Sequence, residues 1–212
     1  MRSFMRLTRI KPPTNRLPSP FKKLLGLAGT TAWQALFDAG HLKVGQTVLI
    51  LAGSGGVGSM AIQLAKHIGA HVITTTSAAN DNYVRGLGAD KVIDYKTQDF
   101  AKVSPEVDLV FDTLGGQNQL DAFKVVKPGG RIISIVETTD QAEELSQKYG
   151  VSFEKINAHP DKDVITTLSN KLGAGKLKVS IATQLKFNAE NVREMHKLSE
   201  TGHIVGKLIL NV

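Results

Sequence analysis

Three glycines carry the most specific chemistry in this chain of 212 residues. Gly53, Gly55 and Gly58 lie in the run AGSGGVG with the spacing G-x-G-x-x-G. The first glycine of such a set permits a sharp turn, and the second lets backbone approach a pyrophosphate with no Cβ between. The third lets a following helix pack closely on the preceding strand. Free N–H groups and the positive end of that helix then face the phosphates. The spacing alone also occurs in plain structural turns, so the flanking elements decide. Residues 48–51 (VLIL) are an unbroken apolar run, as a parallel strand covered on both faces requires. From residue 61 the apolar side chains of Ala61, Leu64, Ala65 and Ile68 recur at helical spacing. Strand, glycine turn and helix follow one another, which predicts a dinucleotide site.

The end of the next strand bears on which dinucleotide. Residues 71–75 read as a strand running into Thr76 and Ser77. An NAD site places Asp or Glu about 20 residues beyond the glycines, to hold the ribose 2′-hydroxyl. Here the sequence is TTTSAAN, and the first carboxylate, Asp81, comes too late. Small hydroxyl residues leave room for a 2′-phosphate, with Arg85, Lys91 and Lys96 as candidate positive partners. Ser77 could equally cap the helix that follows. NADP(H) is the expected cofactor.

Other chemistries find little support. The chain has no cysteine, which excludes disulfides and thiolate zinc sites. Its six histidines are scattered, so no metal is expected. No carboxylate pair stands at catalytic spacing. Ala52 to Gly56 resembles a nucleophile elbow only superficially, because too few strands precede it. None of Tyr83, Tyr95 and Tyr149 has lysine four residues on, as a short-chain dehydrogenase needs.

The net charge of +7 invites a nucleic-acid reading until it is located. Residues 1–23 hold seven basic residues (Arg2, Arg6, Arg9, Lys11, Arg16, Lys22, Lys23) and no acid. Without them, 19 basic residues face 19 acidic ones, so the remainder is neutral and no nucleic-acid partner is expected. The same segment carries Pro12, Pro13, Pro18 and Pro20, which oppose regular structure. It reads as an irregular lead-in, with a targeting presequence as the alternative. No apolar run is long enough to cross a bilayer, so no membrane partner is expected.

Further along, strands are expected at 91–94, 107–111, 131–136 and 151–156. Helices are expected at 83–88 and 119–126, with 128–130 (PGG) as a turn. Trp33, Leu36 and Phe37 predict a helix before the glycine motif, ended by Gly40. This alternation argues for an α/β Rossmann fold: a doubly wound parallel sheet with helices on both faces. Ligands to such sheets bind at the carboxyl ends of the strands. The expected division is a tail at 1–23, a dinucleotide-binding domain at 24–158 and a C-terminal α+β segment at 159–212. The last segment reads as a helix at 161–172, a strand near 177–181, a helix from Asn188 to about 200 and a strand at 203–212.

Four blocks, in order, carry a family resemblance: AGTTAWQALFDAGHLKVGQTVLILAGSGGVGSMAIQLAK, LGADKVIDY, PGGRIISI and SETGHIVGKLIL. They resemble the zinc-independent quinone oxidoreductases of the medium-chain dehydrogenase/reductase superfamily. The resemblance implies NADPH-dependent, metal-free hydride transfer to a small quinone or α,β-unsaturated carbonyl. By position it implies Thr31 near the nicotinamide, and Ser54, Gly55, Gly56 and Val57 on the pyrophosphate. It puts Ser77 and Tyr95 at the adenosine phosphate end and Leu114 beside the adenine. Val136 would line the nicotinamide pocket, with Gly206 and Lys207 at its far edge. Where the family commonly has a lysine after the serine of the second strand, this chain has Asn80.

Members of that family begin with a β-barrel domain, most of which this chain is expected to lack, and their C-terminal strands return to complete it. An exposed apolar surface is therefore expected in roughly the last 50 residues, covered by rearrangement or by a homodimer. The expected location is cytoplasmic. The alternative to an enzyme is a truncated, non-catalytic NADP-binding module.

Overall fold

The computed structural model describes residues 25–202 and 204–211. The basic, proline-rich segment 1–23, with its presequence alternative, lies outside them. So do His203 and Val212, the bounds expected for the last strand.

The chain enters through a helical stretch, α1 (25–39). It joins π-helical Leu25–Gly29, α-helical Thr30–Trp33 and π-helical Gln34–Ala39. Gly40 ends it as expected, but with φ −74, so left-handed geometry is not why glycine stands there. A Cβ would sit 2.5 Å from the Ala35 carbonyl oxygen, and the site has no room for one. There follow β1 (Thr47–Ile50), α2 (Gly58–His67), β2 (His71–Thr76), α3 (Asp81–Leu87), β3 (Lys91–Asp94) and α4 (Phe100–Val103). The sheet region continues with β4 (Val107–Asp112), α5 (Gly116–Ala122), β5 (Val126–Ser134), α6 (Ala142–Tyr149) and β6 (Ser152–Lys155). The C-terminal part holds α7 (Lys162–Gly173), β7 (Ile181–Lys186), α8 (Ala189–Glu200) and β8 (Lys207–Asn211).

Six strands form one parallel sheet in the order β3-β2-β1-β4-β5-β6. This is the doubly wound order, reversing direction between β1 and β4. Alternate residues of β1 feed two cores. Val48 and Ile50 pack with α1, α2, α3 and α7 residues such as Leu36, Leu64, Val84 and Leu168. Leu49 and Leu51 face the other way, toward Phe100, Phe123 and Ala142. All four are fully buried, which is why the run lacks polar alternation. Each contributes about 1.5–3 kcal/mol by leaving water.

β7 and β8 form a separate two-stranded parallel sheet. α8 begins as expected at Asn188, whose side chain accepts from the Asn191 amide. Asp161 likewise caps α7, accepting from Asp163 and Val164.

Several boundaries shift for physical reasons. Pro128 to Gly130 do not precede the fifth strand but form an irregularity inside it: Val107 pairs with Val126, then Leu109 with Arg131. Proline lacks the donor a regular ladder would need there. The strand expected at 177–181 begins only at Ile181. The Lys178 amide and carbonyl are taken by the Gln63 side chain, leaving neither for a ladder. The apolar face expected near the C-terminus is also less open than foreseen. Among the large apolar residues described there, Phe187 is strongly exposed, while Leu185, Leu208 and Leu210 are half-buried.

Candidate cofactor site

The glycine turn leaves β1 abruptly. Ala52 takes φ +56, a left-handed conformation rare for a residue with a Cβ. Three bonds hold it: the Ala52 amide donates to Thr75 Oγ1 (3.0 Å), the Gly53 amide to the Thr75 carbonyl (3.0 Å), and the Gly55 amide to the Ala52 carbonyl (3.0 Å). A Cβ on Gly53 would collide with Thr74 Oγ1, and one on Gly58 with the Ala52 carbonyl. These two glycines are therefore required by packing. At Gly55 the nearest obstacle would be the Ala52 carbonyl oxygen at 3.3 Å. Among the described residues, the Gly56 and Val57 amides have no hydrogen-bond partner. Both lie at the N-terminal end of α2, where a helix favours an anion.

The C-terminal segment returns to this turn. The Gly206 amide donates to the Ser54 carbonyl (3.0 Å), Gly55 and Gly206 form a parallel bridge, and the Lys207 amide donates to the Ser180 carbonyl (2.9 Å). Gly206 has φ +83, and a Cβ there would strike Ser180. The Lys207 side chain crosses Gly56 so closely that a Cβ on Gly56 would lie 2.6 Å from Cε and 3.0 Å from Nζ. Burial pushes the Lys207 ammonium below its ordinary pKa. A partly desolvated cation beside two unbonded amides suits a phosphate. A cavity of about 10 Å³ bounded by Ala28, Ser59 and Ser180 lies behind the lysine. A larger hollow of about 320 Å³, lined by Gln63, Lys66, Lys176 and Lys178, lies by the other end of α2. The convergent donors stand at the turn, and the chemistry points there.

Four of the remaining expected residues, Ser77, Tyr95, Leu114 and Val136, follow strand ends. Ser77 follows β2 with N-cap backbone geometry, but its side chain makes no capping bond. The Tyr95 amide donates to the Thr76 carbonyl (3.2 Å), placing exposed Tyr95 beside that end. Leu114 is about half exposed. Val136 meets the same loop, since a Cβ on Gly115 would lie 2.9 Å from Val136 Cγ2. Thr31 is buried in α1, its hydroxyl donating to the Leu27 carbonyl (2.7 Å).

Three residues that the sequence reading passed over organise the β4–β5 side. Asp112, fully buried, accepts from the Leu114 and Gly115 amides through Oδ1 (2.9 Å each). Its Oδ2 accepts from Gln119 Nε2 and Ser134 Oγ (2.9 Å each). Gln119 in turn accepts from the Thr139 amide (2.8 Å). The network fixes the loops that carry Leu114 and Val136. Its sequence signal is a strand-ending aspartate followed by two glycines (DTLGG), which favours side-chain-to-backbone bonding.

Comparison with known proteins places this geometry. The family described as Zinc-binding dehydrogenase matches residues 87–210. The chain belongs to that family. It is a quinone oxidoreductase-like member of the medium-chain dehydrogenase/reductase superfamily. It is 33% identical over 189 residues to the 2-methylene-furan-3-one reductase of Solanum lycopersicum, covering 88% of this chain and 45% of the relative. It is 31% identical over 188 residues to the NADPH-dependent alkenal/one oxidoreductase of Arabidopsis thaliana, with the same coverages. The chain spans about half the length of these curated relatives. The quinone oxidoreductase structure from Coxiella burnetii superposes with TM-score 0.83 at 35% identity, over 89% of this chain and 59% of that one.

The family's name raises the question of zinc. The chain has no cysteine, and the described residues contain no group of three His, Asp or Glu able to hold a metal ion. The described residues therefore offer no donor set that fits zinc. Among the described residues no helix is long and apolar enough to cross a membrane.

Proposed function

We propose that the chain binds NADPH across the carboxyl ends of β1, β2, β4 and β5 and acts as an NADPH-dependent oxidoreductase on quinones or α,β-unsaturated carbonyls. The observation that carries this is the glycine turn, where the Gly56 and Val57 amides have no hydrogen-bond partner among the described residues and the Lys207 side chain lies against Gly56. The printed names of the relatives, an alkenal/one oxidoreductase and a quinone oxidoreductase, support the substrate class. When bound, NADPH supplies the hydride. The chain's own residues bind and orient. The turn and Lys207 take the pyrophosphate, and Ser77 and Tyr95 flank the adenosine phosphate. Leu114 covers the adenine, and Thr31 and Val136 bound the nicotinamide. Such catalysis rests on positioning, and no side-chain acid or base is assigned. The reading is metal-independent. A homodimer belongs to it as well, supported by the edge strand β6, which has no second neighbouring strand among the described residues.

The runner-up is a nucleotide-binding module without turnover. Fluorescence titration with NADPH tests the shared part of both readings. Steady-state NADPH oxidation with a small quinone separates them. Turnover above the uncatalysed background supports the enzyme, and binding without turnover supports the module.

A further inference from the structure

The site offers a specific answer to how a 2′-phosphate is told from a 2′-hydroxyl, an inference that rests on the NADPH reading above. Ser54 Oγ accepts from Thr76 Oγ1 (2.9 Å) and from Asn80 Nδ2 (3.4 Å). A hydroxyl oxygen has two acceptor positions and one proton. Both acceptor positions of Ser54 are used, so its proton is left to donate outward. Asn80 Nδ2 also donates to Ser77 Oγ (3.3 Å), filling one of its acceptor positions and leaving its proton without a partner among the described residues. Asn80 thereby sets two neighbouring hydroxyls as donors, the polarity an anion needs. A 2′-hydroxyl can accept from the same donors, so they do not discriminate by themselves. Charge must.

Three cations were candidates from sequence, and the structure occupies two of them elsewhere. Arg85 Nε pairs with Asp81 (2.8 Å), and its guanidinium also reaches the Asp90 carbonyl. Lys91 begins β3, opposite Ile73 in mid-strand, and its Nζ donates to the Val103 carbonyl (2.6 Å). Lys96 differs. Asp94 is the register partner of Thr76, and the Tyr95 amide bonds the Thr76 carbonyl. Lys96 therefore leaves β3 beside the point where Ser77 leaves β2. It is exposed, and among the described residues its ammonium has no carboxylate or carbonyl partner. The one acid next to it, Asp94, accepts from the Lys96 amide (3.1 Å) and would repel a phosphate unless a cation offset it.

We infer that Lys96 supplies the charge that selects a 2′-phosphate, while Asn80 orients the Ser54 and Ser77 hydroxyls as donors around it. The test is nicotinamide-fluorescence titration of the full chain with NADPH and with NADH, at low and high salt. The proteins compared are wild type, Lys96→Gln, Lys96→Arg and Lys91→Gln. The wild type prefers NADPH, and salt narrows the preference because the pair is exposed. Lys96→Gln loses roughly fivefold to tenfold more affinity for NADPH than for NADH, as loss of one exposed charge-assisted contact predicts. Lys96→Arg keeps the preference, and Lys91→Gln leaves the ratio unchanged. An NADPH preference that survives in Lys96→Gln overturns the assignment. Equal wild-type affinity for both nucleotides overturns it too, while leaving the crevice as a dinucleotide site. Binding of neither nucleotide by folded wild type removes the underlying reading as well.

Discussion

The Gly206 amide donates to the Ser54 carbonyl at 3.0 Å, so the segment after α8 is stitched to the loop that would hold a pyrophosphate. A Cβ at Gly206 would face both φ +83 and the Ser180 backbone. Gly206→Ala should therefore pull Lys207 away from Gly56. A backbone misfit of this kind costs about 1–3 kcal/mol. NADPH affinity is expected to fall at least about tenfold, with the circular dichroism of the parallel sheet unchanged. Unaltered affinity would show that the stitch does not position the site.

Two glycines of the turn should respond differently to alanine. At Gly53 the new methyl strikes Thr74 and Ile62 in the core, so Gly53→Ala is expected to lose about 1–3 kcal/mol in denaturant unfolding. At Gly56 it meets only the flexible end of Lys207. Gly56→Ala should keep the unfolding midpoint within about 0.5 kcal/mol while weakening NADPH binding. A matching stability loss in both variants would contradict this division.

Ala52 stands at φ +56 without the freedom of glycine. Left-handed geometry costs an L-residue about 1–2 kcal/mol. Ala52→Gly should recover part of this, less the added entropy of the unfolded chain, for a net gain of about 0.5 kcal/mol. Equilibrium urea unfolding measures it.

Burial lowers the Lys207 pKa from its ordinary 10.5, which fixes the sign of two pH effects. Between the lowered folded value and 10.5, the unfolded chain binds more protons, so stability should rise with pH across that window. NADPH binding should weaken over the same range if this ammonium faces the phosphates as proposed, because its charge is lost. Lys207→Arg, whose charge persists at all these pH values, should flatten the alkaline fall in affinity. A fall of equal steepness in that variant would remove Lys207 from the phosphate site.

Asp112 satisfies four donors with one buried carboxylate. In Asp112→Asn one carboxylate oxygen becomes an NH₂ group, which then faces two of those donors. The expected cost is about 1–3 kcal/mol in unfolding, with the Leu114 and Val136 loops loosened.

The sequence made the crevice legible where local physics speaks alone: glycines that a core cannot tolerate as alanine, and apolar runs too continuous for a one-sided strand. The hydroxyl run at Thr76 and Ser77 could be read as a cofactor signal, yet Asn80 was read only as a missing lysine. Its amide reaches Ser54, 26 residues back, and no spacing rule announces that contact. The same holds for Gln63, which takes both backbone groups of Lys178 and so displaces a strand that β-propensity alone would have placed there. Such side-chain reach across the fold is invisible to periodicity.

The bridge between Gly55 and Gly206 joins positions about 150 residues apart, a separation that contact-order arguments associate with late formation. During synthesis the parallel sheet can assemble while residue 206 is still unmade. The nascent chain would then carry its phosphate loop open, without the lysine that lies across it. Nucleotide capture by a ribosome-bound chain should therefore switch on only once β8 has emerged, making the dinucleotide a reporter of completed translation of this segment.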